Sequence, residues 1–100
     1  MPDSTNLVRS NGSLQLPTRV NLLNVTGLYE DFQRLFDGGV DCLDCREVKE
    51  ADSSAISLLL ACVNLAGRHN RVLDIKGMNN QLNSLARLYG VETLLRDPNS

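Results

Sequence analysis

The residues able to do chemistry gather in one stretch. Glu47, Glu50 and Asp52 precede the hydroxyls of Ser53 and Ser54, and an apolar run begins at Ala55. An aspartate and two serines ahead of such a run fit a helix start. The carboxylate accepts free backbone N–H groups of the first turn, and its charge suits the positive end of the helix dipole. A phosphate on either serine would gain from the dipole and be repelled by the nearby carboxylates. From residue types alone, capping accounts for the pattern.

Other reactive side chains are too dispersed to cooperate. Cys42 and Cys45 spell C-x-x-C, but on a strand residues three apart face opposite ways, so they share neither metal nor disulfide. They read as core thiols, as does Cys62. His69 is the lone histidine. It ends the helix that Ser53 begins, about 24 Å away at 1.5 Å per residue. No nucleophile–base pair forms within one chain, so a hydrolase is set aside and no enzyme is expected. There is no P-loop or G-x-G-x-x-G; Gly38-Gly39 and Gly77 read as turn glycines. No cofactor or metal is expected.

The elements that hold these residues follow from patterning. A chain of 100 residues, 42% hydrophobic and 22% charged, is read as one domain over 1–100, with 1–6 and 97–100 flexible. Asn11-Gly12 between Leu7-Val8 and Leu14/Leu16 signals a hairpin. Leu14, Leu16, Val20 and Leu22 keep a period of two, with Pro17 marking an edge or bulge. Leu28, Phe32, Leu35 and Phe36 predict a helix over 26–38, stopped by Gly38-Gly39. A strand over 40–46 precedes the helix capped by Asp52, which runs over 53–69. A strand over 71–76 leads to a third helix, capped by Asn79 or Asn80 and closed by Gly90. Val91 to Leu95 is an apolar tail that packs back. The order ββ-α-β-α-β-α predicts an α/β fold: a small mixed sheet with parallel βαβ crossovers and helices packed against it.

On the central helix, Ala55, Ile56, Leu59, Val63 and Ala66 fall on the buried face at 100° per residue. Ser57, Asn64 and Arg68 point away, with Ser54, Leu58, Ala61 and Leu65 at the margin. A face of small residues with leucines at its edge could dock a partner, but the periodicity is better accounted for by a largely buried helix with a narrow polar stripe.

The run Val48-Lys49-Glu50-Ala51-Asp52-Ser53-Ser54-Ala55 resembles the signature of STAS domains, which place Asp-Ser/Thr-Ser/Ala/Gly-Gly between the third strand and the second helix. The resemblance covers Leu7 to Leu95. Within the family, three stretches look most like the STAS subunits of Mla-type lipid-transport ABC systems. They are Cys42-Leu43-Asp44, then Leu58-Leu59-Leu60 with Leu65-Ala66, and Ser84-Leu85-Ala86-Arg87-Leu88-Tyr89-Gly90-Val91. Ala55 stands where the family usually has glycine, and Thr18-Arg19-Val20-Asn21 where many members have Gly-Glu-Leu-Asp.

The resemblance implies a STAS fold and a non-enzymatic accessory subunit that binds the cytoplasmic ATPase of a phospholipid-transport ABC complex. It implies a docking surface of Asp52, Ser53, Ser54, Ser57, Leu58 and Ala61. Ser53 stands at the hydroxyl position important in transporter subunits. Ser54 stands at the phosphoacceptor position of anti-sigma-factor antagonists. The alternative it leaves open is therefore an antagonist of an anti-sigma-factor kinase, switched by phosphorylation of Ser54.

Charge bounds the partners. Ten basic against twelve acidic residues give a net charge of -2, with the arginines scattered among acids. That argues against nucleic acid and against direct lipid binding, so membrane association is expected only through a partner. The apolar run over 55–66 is too short to cross a bilayer, and Met1 to Asn6 lacks signal-peptide features. The expectation is a cytoplasmic protein with reduced cysteines.

Overall fold

The computed structural model describes residues 7–36 and 39–95. The expected flexible ends and the helix stop at Gly38 lie outside those residues, apart from Gly39.

The hairpin forms where the turn chemistry requires it. Asn11 and Gly12 have φ of 51° and 85°, the left-handed pair that a two-residue hairpin turn needs. They join β1 (Val8–Ser10) to β2 (Ser13–Gln15), antiparallel, with Val8 opposite Gln15. A Cβ on Gly12 would also lie 2.7 Å from the Gly39 carbonyl oxygen, so glycine is needed for space as well as for φ.

The remaining elements are β3 (Arg19–Val20), α1 (Val25–Leu35), β4 (Cys42–Asp44), β5 (Glu50–Ala51), α2 (Ser53–Arg68), β6 (Asp74–Lys76) and α3 (Asn80–Leu88). The main sheet has the order β1-β2-β4-β6. Only the hairpin pair is antiparallel; β2–β4 and β4–β6 run parallel. This is the mixed α/β fold that the sequence predicts.

One departure concerns the period-two run. It does not continue through Val20 and Leu22 as one ladder. The Leu16 N–H still bonds the Asp44 carbonyl at 2.9 Å, but Pro17 has no N–H to extend the pairing. The chain turns out of the main sheet, and β3 instead pairs parallel with β5, Arg19 opposite Glu50 and Val20 opposite Ala51. Nothing in the sequence pattern predicts β5, a strand of two residues.

Alternation then divides the main sheet into two faces. Leu14, Leu43 and Ile75 are cross-strand neighbours and are fully buried. They belong to one core with Leu28 and Phe32 of α1, Leu59 and Ala66 of α2, and Leu82 and Ala86 of α3. Each fully buried leucine contributes about 1.5–3 kcal/mol. The opposite face carries the row Val8, Gln15, Asp44 and Lys76. A groove of about 390 Å³ there is lined by residues that include Ser13, Gln15, Cys42, Asp44, Arg46 and Lys76. Among the described residues, no helix is long and apolar enough to cross a membrane.

The helix ends follow local signals. Asn79 caps α3, its Oδ1 accepting the Leu82 N–H at 2.9 Å. Gly90, with φ 70°, follows its last turn. Leu95 packs back into the core as the apolar tail predicts.

Candidate functional site

Asp52 sits where β5 ends and α2 begins, in the extended conformation of an N-cap. Its Oδ1 accepts the Ser54 N–H at 2.9 Å and also the Ser54 hydroxyl. Its Oδ2 accepts the Leu22 N–H at 3.2 Å. The Ser54 hydroxyl beside Asp52 holds its carboxyl below the usual range, with the Leu22 and Ser54 N–H groups adding to the effect. The capping role expected of Asp52 is therefore present, and the hydroxyl of half-buried Ser54 is committed to it.

Three segments fix this corner. The Asp52 N–H reaches the Val20 carbonyl at 3.4 Å, which ties the helix start to β3. Arg19 Nε bonds Glu50 Oε2 across the small sheet at 2.9 Å. Both side chains are exposed, so this pair sets register more than stability. From α3, Gln81 Nε2 donates to the Ala51 carbonyl and Asn79 Nδ2 to the Val48 carbonyl, each at 3.0 Å.

The expected docking residues separate by burial. Asp52, Ser53 and Ser57 are exposed, and Ser54 and Ala61 are half-buried. Ser53 and Ser57 share one side of α2 at i, i+4 spacing. Leu58 is a correction: it is only 4% exposed and belongs to the core. It cannot be the apolar anchor of a partner surface. The helix is covered by α1 and α3 as well as by the sheet, which widens its buried arc beyond one face.

Large hydrophobics are exposed at several places, Val72 and Leu88 among them, and two adjacent ones lie in the loop after β3, where the period of two predicts a strand. Leu22 and Leu23 are 75% and 93% exposed. They are held in place by side-chain hydrogen bonds. Asn21 Oδ1 accepts the Leu23 N–H at 2.9 Å, Asn24 Oδ1 accepts the Asn21 N–H at 2.9 Å, and Asn24 Nδ2 donates to the Arg19 carbonyl at 2.7 Å. The signal was there in the asparagines bracketing two leucines, a pattern that makes side-chain-closed turns. The period of two obscured it.

The thiols do not form a reactive centre. Cys42, Cys45 and Cys62 are all buried and unbridged. Cys42 faces the open side of the sheet, while Cys45 lies in the core. Burial pushes the Cys45 thiol up to about 12 and raises Cys42 and Cys62 as well. Such thiols are poor nucleophiles. His69 stands at the C-cap of α2 with its ring 5.8 Å from that of Phe36. Ser53 stands at the other end of that helix. Among the described residues, no group of three or more His, Cys, Asp or Glu side chains could hold a metal ion.

The geometry is thus a capped helix start with exposed hydroxyls beside an exposed pair of leucines. Comparison with known proteins identifies the family. Over 53 residues the chain is 30% identical to the intermembrane phospholipid transport system binding protein MlaB of Escherichia coli (strain K12). The protein of the same name from Shigella flexneri matches equally. The chain spans about half the length of these curated relatives, 55% of each, and the match covers 53% of the chain itself. The family model described as "Mlab, STAS domain" matches residues 4–96, so the chain belongs to the MlaB-type STAS domain family.

Proposed function

We propose that this chain is a single STAS domain acting as a non-enzymatic accessory subunit of a phospholipid-transport ABC system. It binds the ATPase subunit on the cytoplasmic side and meets the membrane only through that complex. The observation that carries this reading is the family match over residues 4–96. The phospholipid-transport names of the relatives support it. The docking surface is the start of α2, where Ser53 and Ser57 are exposed and small, beside Asp52. Ser54 and Ala61 flank it. Small side chains there let a partner approach the helix closely.

A tagged pull-down from the native cell tests the reading, with mass spectrometry of the captured proteins and of the Ser53/Ser54 peptide. The expected result is a stoichiometric ABC ATPase and unmodified serines. Ser57→Arg, on the exposed side of α2, is expected to abolish that capture without unfolding the domain. A serine kinase in place of the ATPase, with phosphate on Ser54, would overturn the reading in favour of an anti-sigma-factor antagonist. Such a phosphate would sit against the Asp52 carboxylate that caps α2 and remove the hydroxyl's hydrogen bond to it.

A further inference from the structure

We infer that Leu22 and Leu23 are the apolar anchors of the docking surface, inserting into an apolar recess of the ATPase whose rim places a cation or N–H donors against Asp52. The inference rests on the proposed function and deepens it.

Three observations lead there. The first is exposure without a folding reason: Leu22 and Leu23 are the residues that the 21–24 turn holds outward. The side chains of Asn21 and Asn24 close this turn from both ends. A turn locked by hydrogen bonds presents its leucines at low entropic cost, which is what an anchor requires. The second is continuity. Asp52 Oδ2 accepts the Leu22 N–H while Oδ1 accepts the Ser54 N–H, so one carboxylate joins the leucines to the first turn of α2.

The third is charge, which chooses the occupant. Asp52 is exposed and ionised beside the leucines. Glu50 is nearby, with Arg19 paired to it. A second copy of this chain docking by the same face around a two-fold axis would bring Asp52 towards Asp52, and like charges at an interface are unfavourable. A different protein with an opposite charge at its rim suits the patch.

The test uses the full chain and the ATPase subunit encoded in the same genome, both purified, with affinity measured by calorimetry. Because both leucines are exposed, Leu22→Ser/Leu23→Ser should melt at the wild-type temperature. Its affinity for the ATPase should fall about thirtyfold or more, the loss expected of anchor residues. Asp52→Asn keeps a capping side chain and removes the charge; it should weaken binding less and flatten its dependence on salt. Wild-type affinity in the leucine variant would overturn the inference and leave the proposed function standing. No binding by the wild-type chain would overturn both. A wild-type dimer that the leucine variant converts to monomer would assign the patch to self-association and overturn the inference as well.

Discussion

Asp44 lies with its side chain almost wholly buried on the open face of the main sheet, and Arg46 is what makes that tolerable. The guanidinium bonds both carboxylate oxygens, Nε to Oδ2 at 2.9 Å and Nη2 to Oδ2 at 2.7 Å, with a longer Nε contact of 3.1 Å to Oδ1. The Arg46 N–H adds a bond to Oδ1 at 2.9 Å. Burial alone would raise the carboxyl's pKa, but the hydrogen bonds and charge of Arg46 outweigh it and leave the value lowered. A lowered carboxyl binds fewer protons in the folded than in the unfolded chain. Its stabilisation is therefore complete above the unfolded value of about 3.9 and is lost as pH falls through the folded one. Removing the Arg46 side chain takes away its hydrogen bonds and its charge, and leaves only the backbone N–H and Lys76 to offset burial. Arg46→Met is expected to be less stable than wild type at pH 7, with the gap narrowing below about pH 4. Urea unfolding across that range measures it; a gap that stays constant with pH would show that Asp44 is not the group being stabilised.

The same arginine sets a constraint one element away. Gly77 follows β6 with φ 75°, and a Cβ there would sit 2.2 Å from Arg46 Cγ. Gly27, in the first turn of α1, has nothing within 4 Å of such a Cβ. Gly27→Ala should therefore stabilise by about 0.5–1 kcal/mol. Gly77→Ala should destabilise by more than about 1 kcal/mol, since it strains both φ and the Arg46 side chain. Equal effects of the two substitutions in thermal melts would contradict this packing. What was legible at this scale was whatever local chemistry encodes. Asn11-Gly12, the Asp52 and Asn79 caps and Gly90 each specify a boundary within a few residues. The β3–β5 pair was not legible, because two-residue strands carry no period and their partners lie about thirty residues apart. Leu58 was misplaced for a related reason. A helical wheel gives the direction of a side chain, but how many neighbours surround the helix is decided by the tertiary fold. The candidate site divided the same way: Asp52 and its serines were readable as a cap, whereas the leucines joined to them by Oδ2 belong to a loop thirty residues earlier.

Across the whole molecule, helices α1 and α3 flank α2 above one face of the sheet, so the core is a single layer in which β4 and α2 sit centrally. Cys45 follows β4 and Cys62 lies on α2, 0% and 1% exposed, and both belong to that core. Cys42 belongs to the opposite, grooved face and is 7% exposed. The thiols therefore report different openings of the structure. A disulfide reagent needs a thiolate and a path to it, and both are denied to Cys45 and Cys62 while the core is closed. Cys42 needs only a local movement at the groove. With such a reagent at pH 8, Cys42 should react first. Cys45 and Cys62 should follow in one slower phase whose rate rises with urea as global unfolding does. That result would make the helix layer and the sheet one cooperative unit. Separate phases for Cys45 and Cys62, with Cys62 less sensitive to urea, would instead mean that α2 lifts from the sheet without the rest unfolding. The proposed docking surface at its first turn would then belong to an element with its own, lower stability.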